Sequence, residues 1–236
     1  MDTRKIVKTK GIVLAETNFS EADKMLTVLT PDLGKISCVA KGARRIGNKL
    51  MATSQVFAFC DFVLYRSNSS NYYINSAELI EAFYPLRVDY DRLECAMDCV
   101  AFIKKYIQEN QTSLSILKLL LNTIYLLAEG DKNYELVGSI YKLKGVCLLG
   151  YGPQVATCVE CGKQDVVGFS IKKNGMVCSD CGIIDKSLIR MLPGTIAAIR
   201  YIVQSDLKRL FSFSVTDEII REIQLFNKIY IKEKLE

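Results

Sequence analysis

The chain has 236 residues, half of them hydrophobic and a quarter charged, with a formal net charge of +5. That composition builds one large domain or two to three small ones, and it excludes a disordered chain. Histidine is absent, which removes His-based acid–base catalysis, catalytic triads and His metal sites, and shifts weight toward a binding protein.

Met1–Lys5 leads into no apolar stretch, so no export signal is expected. Residues 1–81 read as all-β. Gly11–Ala15 is a short strand and Met25–Thr30 a second, rich in Thr and Val. Pro31-Asp32-Leu33-Gly34 is a tight turn, because Pro presets φ and Gly accepts the left-handed position. The strand that follows alternates, with Ile36, Cys38 and Ala40 on one face and Lys35, Ser37 and Val39 on the other. Gly42 breaks it. From Lys35 to Lys49 there are five basic residues and no acidic one. Clustered like charge repels itself, so a fold that keeps Lys35, Lys41, Arg44 and Arg45 together has either a polyanion to hold there or simply a solvated loop. Val56–Tyr65 reads as a long fourth strand, Asn68–Asn71 as a turn and Tyr72–Leu79 as a fifth strand. Five short strands in this span form a small closed barrel, and the OB-fold fits best. Of Phe57, Phe59, Phe62, Tyr65, Tyr72 and Tyr73, most are expected in the barrel core. One or two of the tyrosines are left outside to stack on bases.

After Tyr84-Pro85 the period changes from two to 3.6. Helices are expected over about 93–107, 113–128 and 134–149, the last stopped by Gly150-Tyr151-Gly152-Pro153. The middle one is apolar nearly all round and should be central. It carries Lys118 and Asn122 and is too short to cross a bilayer. Cys95, Cys99 and Cys147 on these helices read as small hydrophobes. Then come Cys158-Val159-Glu160-Cys161, sixteen residues, and Cys178-Ser179-Asp180-Cys181. Two such knuckles form a zinc ribbon: four thiolates close a tetrahedron, so one structural zinc is expected. Gly162 and Gly182 follow the knuckles where the chain turns tightly. Lys163, Lys172 and Lys173 offset the negative site. A thioredoxin-like redox pair fits less well, since one pair would suffice. Nine cysteines, an odd set, point to a reducing compartment and so to the cytoplasm. Pro193 opens another helix, and Thr216 caps the final one, with Asp217 and Glu218 at its positive end. This last helix is expected to pack back on those of residues 90–150.

The fold class is therefore multidomain α+β: an OB-fold barrel (1–81), a helical body (86–154 and 186–236) and an inserted four-Cys ribbon (155–185). In this frame, Gly11-Ile12-Val13-Leu14, Glu21-Ala22-Asp23-Lys24, Leu33-Gly34-Lys35, Ala40-Lys41-Gly42-Ala43-Arg44-Arg45 and Gly150-Tyr151-Gly152-Pro153 resemble the RecO family of bacterial DNA repair proteins. The resemblance spans the chain from about residue 8. It implies a non-enzymatic recombination mediator that binds single- and double-stranded DNA and anneals complementary strands. With RecR, such a protein helps RecA displace single-strand-binding protein, whose acidic C-terminal tail it docks on the helical body. Nucleoid association in the cytoplasm is implied too. DNA contact carries over to Lys35, Lys41, Arg44 and Arg45. A cationic rim for the tail is offered by Lys104, Lys105, Lys118, Lys142 and Lys144. No Walker-type loop is present, which disfavours an ATPase. Two other classes are a zinc-dependent nuclease or other hydrolase, with carboxylates such as Asp23, Asp32 and Asp61, and a zinc-ribbon/OB RNA-binding or ribosome-associated protein.

Overall fold

A computed structural model describes residues 5–66, 71–109, 111–112 and 114–236. The chain forms two compact units, residues 1–129 and 130–236.

The first unit is built on a closed five-stranded barrel of order β1-β2-β3-β5-β4. Its strands are β1 (Lys5–Asn18), β2 (Lys24–Thr30), β3 (Gly34–Ala40), β4 (Phe59–Arg66) and β5 (Tyr72–Glu81). Neighbours run antiparallel except β3 and β5, whose parallel pairing of Cys38 with Tyr72 and Val39 with Tyr73 closes the cylinder. This is the OB arrangement. The strand β1 is much longer than the apolar core of its sequence suggests. It pairs with β4 over Lys5–Ile12 and with β2 over Ile12–Asn18, with a bulge between Val13 and Ala15. A barrel strand shared in turn by two neighbours bends at such a bulge. Its first half is hard to read because the outward residues are Lys8 and Lys10. β4 begins later than expected. A short helix α1 (Leu50–Thr53) precedes it, and Phe57 takes φ 72°, which ends any extended path before Phe59.

Alternation fills the interior with Val13, Leu26, Val28, Ile36, Cys38, Phe62, Leu64 and Ile74. The β2–β3 turn is locked by buried Thr30, whose hydroxyl donates to Gly34 O and accepts from Leu33 N–H, at 3.0 and 3.1 Å. Residues 67–70 of the expected β4–β5 turn lie outside the described residues. A 3-10 turn (Tyr84–Val88) leads to α2 (Tyr90–Tyr106), capped by Asp89, which accepts the Arg92 N–H at 3.1 Å. The next helix, α3 (Leu114–Glu129), packs on α2, on the 3-10 turn and on β2. It buries Ile116, Leu117, Leu120, Ile124 and Leu127, yet Leu114 and Tyr125 are exposed, so it is covered on one broad face and is not central.

The second unit holds α4 (Tyr134–Leu148), β6 (Gly168–Ser170), β7 (Gly175–Val177), α5 (Ser179–Gly182), β8 (Leu188–Arg190), α6 (Pro193–Gln204) and α7 (Asp217–Leu235). α4, α6 and α7 pack against one another. The ribbon sheet, β7-β6-β8, is not walled off from them. Phe169 of β6 is fully buried against Phe226 and Tyr230 of α7, with ring centroids 5.0 and 5.6 Å apart. The Tyr230 hydroxyl lies 2.7 Å from both Tyr151 O and Asn174 Oδ1. Lys144 is buried and donates to the carbonyls of Ile202, Val203 and Ser205 at 3.2, 2.9 and 2.6 Å. It satisfies the open C-terminal end of α6, where carbonyls lack helical partners. Thr216 stands at the N-cap position of α7, but its side chain makes no capping bond. The acidic first turn, Asp217 and Glu218, faces the helix dipole instead. No described helix is long and apolar enough to cross a membrane.

Candidate nucleic-acid interface and metal centre

β3 delivers the chain at Ala40 to the loop 41–49, which is seated rather than loose. The Gly42 N–H donates to Asp23 Oδ1 at 2.7 Å. The Arg44 N–H donates to Ala22 O at 3.0 Å, and its guanidinium Nη1 to Ser20 O at 2.8 Å. Gly42 has φ 69°, and a Cβ there would sit 2.7 Å from the Asn48 amide nitrogen. The left-handed φ favours glycine, while the Asn48 side chain could swing aside from a Cβ. The Gly42 N–H first, then Ser20, Lys41 and Arg45, hold the Asp23 carboxyl below its usual range against the cost of desolvation. The Glu-Ala-Asp-Lys turn between β1 and β2 is thus the seat of the Lys-Gly-Ala-Arg-Arg loop, which explains physically why the two segments occur together.

Beside the loop lies an aromatic platform. Tyr65 and Tyr73 face each other across β4 and β5 and stack at 5.3 Å and 16°. The Lys41 ammonium sits 5.3 Å from the Tyr73 ring centroid. Ile6, opposite Tyr65 in register, is exposed, and Lys8 follows it on the same outward row. Arg66 lies 5.5 Å from the ring of Tyr72, which is itself buried in the barrel. Cationic side chains over ring faces hold both groups in place while leaving N–H donors for phosphate.

In the second unit the Sγ atoms of Cys158, Cys161, Cys178 and Cys181 all lie within 4.8 Å of one another. Four thiolates at about 2.3 Å around one tetrahedral ion would be roughly 3.8 Å apart, so the set fits a metal ion. Cys161 and Cys178 already approach to 3.6 Å. Burial opposes ionisation of Cys158, yet the N–H groups of Cys161, Cys178 and Glu160 overcome it and hold that thiol down at about 6. Cys181, hydrogen-bonded to Cys161 and Cys178, is pushed up to about 12. All four sulfurs could ionise together only with a cation among them. The knuckles form by the Gly162 N–H donating to Cys158 O and the Gly182 N–H to Cys178 O, both at 2.9 Å. Gly162 has φ 76°, but Gly182 is helical, and a Cβ there would press on the tip of the Leu188 side chain at 2.9 Å. Lys163 joins the knuckles through Asp180 at 2.7 Å, and Lys173 pairs with Glu160 at 3.3 Å. Cys38 and Cys60 are different: burial in the barrel pushes both thiols up to about 12.

The family model described as Recombination protein O N terminal matches residues 1–83, and that described as Recombination protein O C terminal matches residues 87–236. The chain belongs to the RecO family. Proteins named DNA repair protein RecO are similar to it along nearly their whole length. That of Acetivibrio thermocellus is 36% identical over 98% of this chain and 92% of its own. That of Caldicellulosiruptor bescii is 36% identical over 98% and 94%, and that of Alkaliphilus metalliredigens 31% identical over 98% and 94%.

For this RecO-family chain the structure brings Lys41, Arg44 and Arg45 to one loop and the four cysteines to one point. It does not bring Lys35 to the loop. Lys35 is the second residue of β3, about 20 Å of extended strand from Lys41, and its ammonium donates to Lys104 O at 2.8 Å. Desolvation there, more than neighbouring charge, draws its pKa down. Lys144, a candidate for a cationic rim, is consumed by three backbone carbonyls in the second unit. Residues 104, 105 and 118 belong to the first unit and 142 and 144 to the second. Sequence reasoning missed the role of Asp23 and the outward row of Ile6 and Lys8. The second left little signal, because Ile6 stands outward beside Lys8 and Lys10 while Thr9 is buried.

Proposed function

We propose that this chain acts in DNA repair as a non-enzymatic recombination mediator. It binds single- and double-stranded DNA through Lys41, Arg44 and Arg45, anneals complementary strands, and with RecR promotes RecA loading onto DNA coated by single-strand-binding protein. The observation that supports this most is the basic loop hydrogen-bonded to the β1–β2 turn beside the Tyr65–Tyr73 stack. Phosphate contacts give affinity without sequence, and the half-buried tyrosine pair offers a stacking surface that does not discriminate among bases. Annealing needs that combination, because each strand must stay readable by its complement. The four cysteines hold one structural zinc, closed to water and substrate by four thiolates. Asp23, weighed above as a hydrolase carboxylate, is occupied in seating the loop. The acidic tail of single-strand-binding protein docks on the helices, with Lys104 and Lys118 exposed among its candidate contacts. The working place is the cytoplasm, at the nucleoid.

The test is annealing of complementary oligonucleotides without nucleotide triphosphate, in Mg²⁺, with competitor RNA in a second series. Faster annealing with strands recovered intact, and DNA preferred over RNA, is expected. Strand cleavage, or displacement of DNA by RNA of equal length, refutes the reading.

A further inference from the structure

The barrel end opposite the basic loop along β5 has the reverse character. Residues 78–98 hold six acidic and two basic side chains, in a chain of net +5. Within this run Ile80, Tyr84, Val88, Tyr90 and Met97 are exposed, Val88 at 89% and Tyr90 at 75%. Surface hydrophobics scattered singly are ordinary, but these follow one another through the end of β5, the 3-10 turn and the start of α2. At helical and 3-10 rises the stretch from Tyr84 to Met97 is only about 20 Å long.

Tyr90, Glu94 and Met97 fall at i, i+4 and i+7, an exposed stripe on α2, with Asp91 beside it. Val88 is the more telling residue. It precedes the N-cap Asp89, where an apolar side chain ordinarily folds over the first turn onto the residue at Leu93. The cap itself is made, but Val88 does not close the staple and stands in solvent. The backbone is firmly set to present these groups. Glu81 Oε1 accepts the N–H groups of Ala82 and Phe83 at 2.8 and 2.9 Å, and Arg87 bonds Gln55 Oε1 at 2.8 Å while covering Tyr84. Glu78, Asp91 and Glu94 rim the apolar groups with negative charge. Phosphate backbones are repelled from such a surface.

We infer that this face, Ile80, Tyr84, Val88, Tyr90 and Met97 within an acidic rim, docks a partner protein through a segment that combines Lys or Arg with apolar anchors. Tyrosine and methionine supply the contact area, and the rim selects the charge of the partner. The face is separate from the basic loop, so a protein partner and DNA can be held at once.

The experiment uses the full chain and a labelled synthetic helix of Leu and Lys, with the same peptide bearing Glu in place of Lys as control, read by fluorescence anisotropy. The Lys peptide binds and the Glu peptide does not. Tyr90→Ala weakens binding about tenfold, as truncation of an anchoring tyrosine does. Asp91→Lys with Glu94→Lys weakens it and removes its salt dependence. Val88→Asp is the decisive variant. It adds negative charge, so pure charge attraction would tighten binding, whereas loss of an apolar anchor loosens it. Oligonucleotide affinity stays unchanged in Tyr90→Ala, which alters no charge, and this separates the surface from the DNA site. No binding of the Lys peptide, equal binding of both peptides, or unchanged or tighter binding by Val88→Asp overturns the inference.

Discussion

Replacing Lys41, Arg44 and Arg45 together with alanine isolates the charge of the loop from its architecture. The seat survives, because the Gly42 and Arg44 backbone N–H groups still reach Asp23 and Ala22. Each of the three side chains has contacts that leave it free to meet a phosphate. Arg44 spends one donor on Ser20 O, Lys41 rests over Tyr73, and Arg45 is exposed. A phosphate neutralised on a single strand contributes roughly −0.7 to the slope of log affinity against log salt. Three contacts therefore steepen it by about 2 units. Over a roughly fourfold rise in salt, the unmodified protein loses about 20-fold more affinity than the triple variant. Lys35→Ala is the internal control: its ammonium is held by Lys104 O, so the slope stays put. Anisotropy titrations with two unrelated oligonucleotides measure both. A triple variant with an unaltered slope, or a Lys35→Ala variant that flattens it, refutes the assignment of charge to this loop.

Tyr73→Ala removes half of the stacked pair and lowers single-strand affinity about tenfold, with duplex affinity little changed, since a base stack is worth roughly 1–3 kcal/mol; equal losses on both would point to a folding defect. Cys158→Ser releases the metal, seen by elemental analysis, and hydrogen exchange then rises in β6, β7 and also α7, because Phe169 and Tyr230 share one core, while the barrel keeps its protection. Lys144→Met leaves three carbonyls without their donor and costs about 2 kcal/mol in urea unfolding of the second unit. Asp185 is held at about 2 by hydrogen bonding with Ser170 and Ser187. A depressed carboxylate stabilises the fold above its unfolded value near 4. That contribution fades as pH falls toward 2, and Asp185→Asn flattens the acid limb of the stability curve.

The barrel was legible because β2 and β3 alternate cleanly and because Pro31 and Gly34 mark their turn. The first half of β1 was not, since its outward positions are lysines and its inward ones include Thr9 and Gly11, which give alternation no contrast. Val56 and Phe57 have strand-like side chains, but a left-handed φ at Phe57 is invisible to propensity. The four-Cys cluster declares itself by spacing alone. The loop charges were visible too, though which of them share a place depends on strand length: Lys35 and Lys41 are close in sequence and far apart on an extended chain. Asp23 could not be assigned because its partner, Gly42, is nineteen residues away. Lys144 looked like a surface cation because nothing local shows the end of α6 coming to meet it.

The sharing of Phe169 between the ribbon and α7 also sets an order of assembly. The knuckles are translated well before residues 217–235, so for a time the nascent ribbon has its four thiols but no helix to bury its hairpin. During that interval a metal ion bound there would be what holds the two knuckles together and shields the sulfurs from oxidation. If zinc is that ion, cells starved of it during synthesis would accumulate oxidised, misassembled chains, whereas protein already completed would outlast the same depletion.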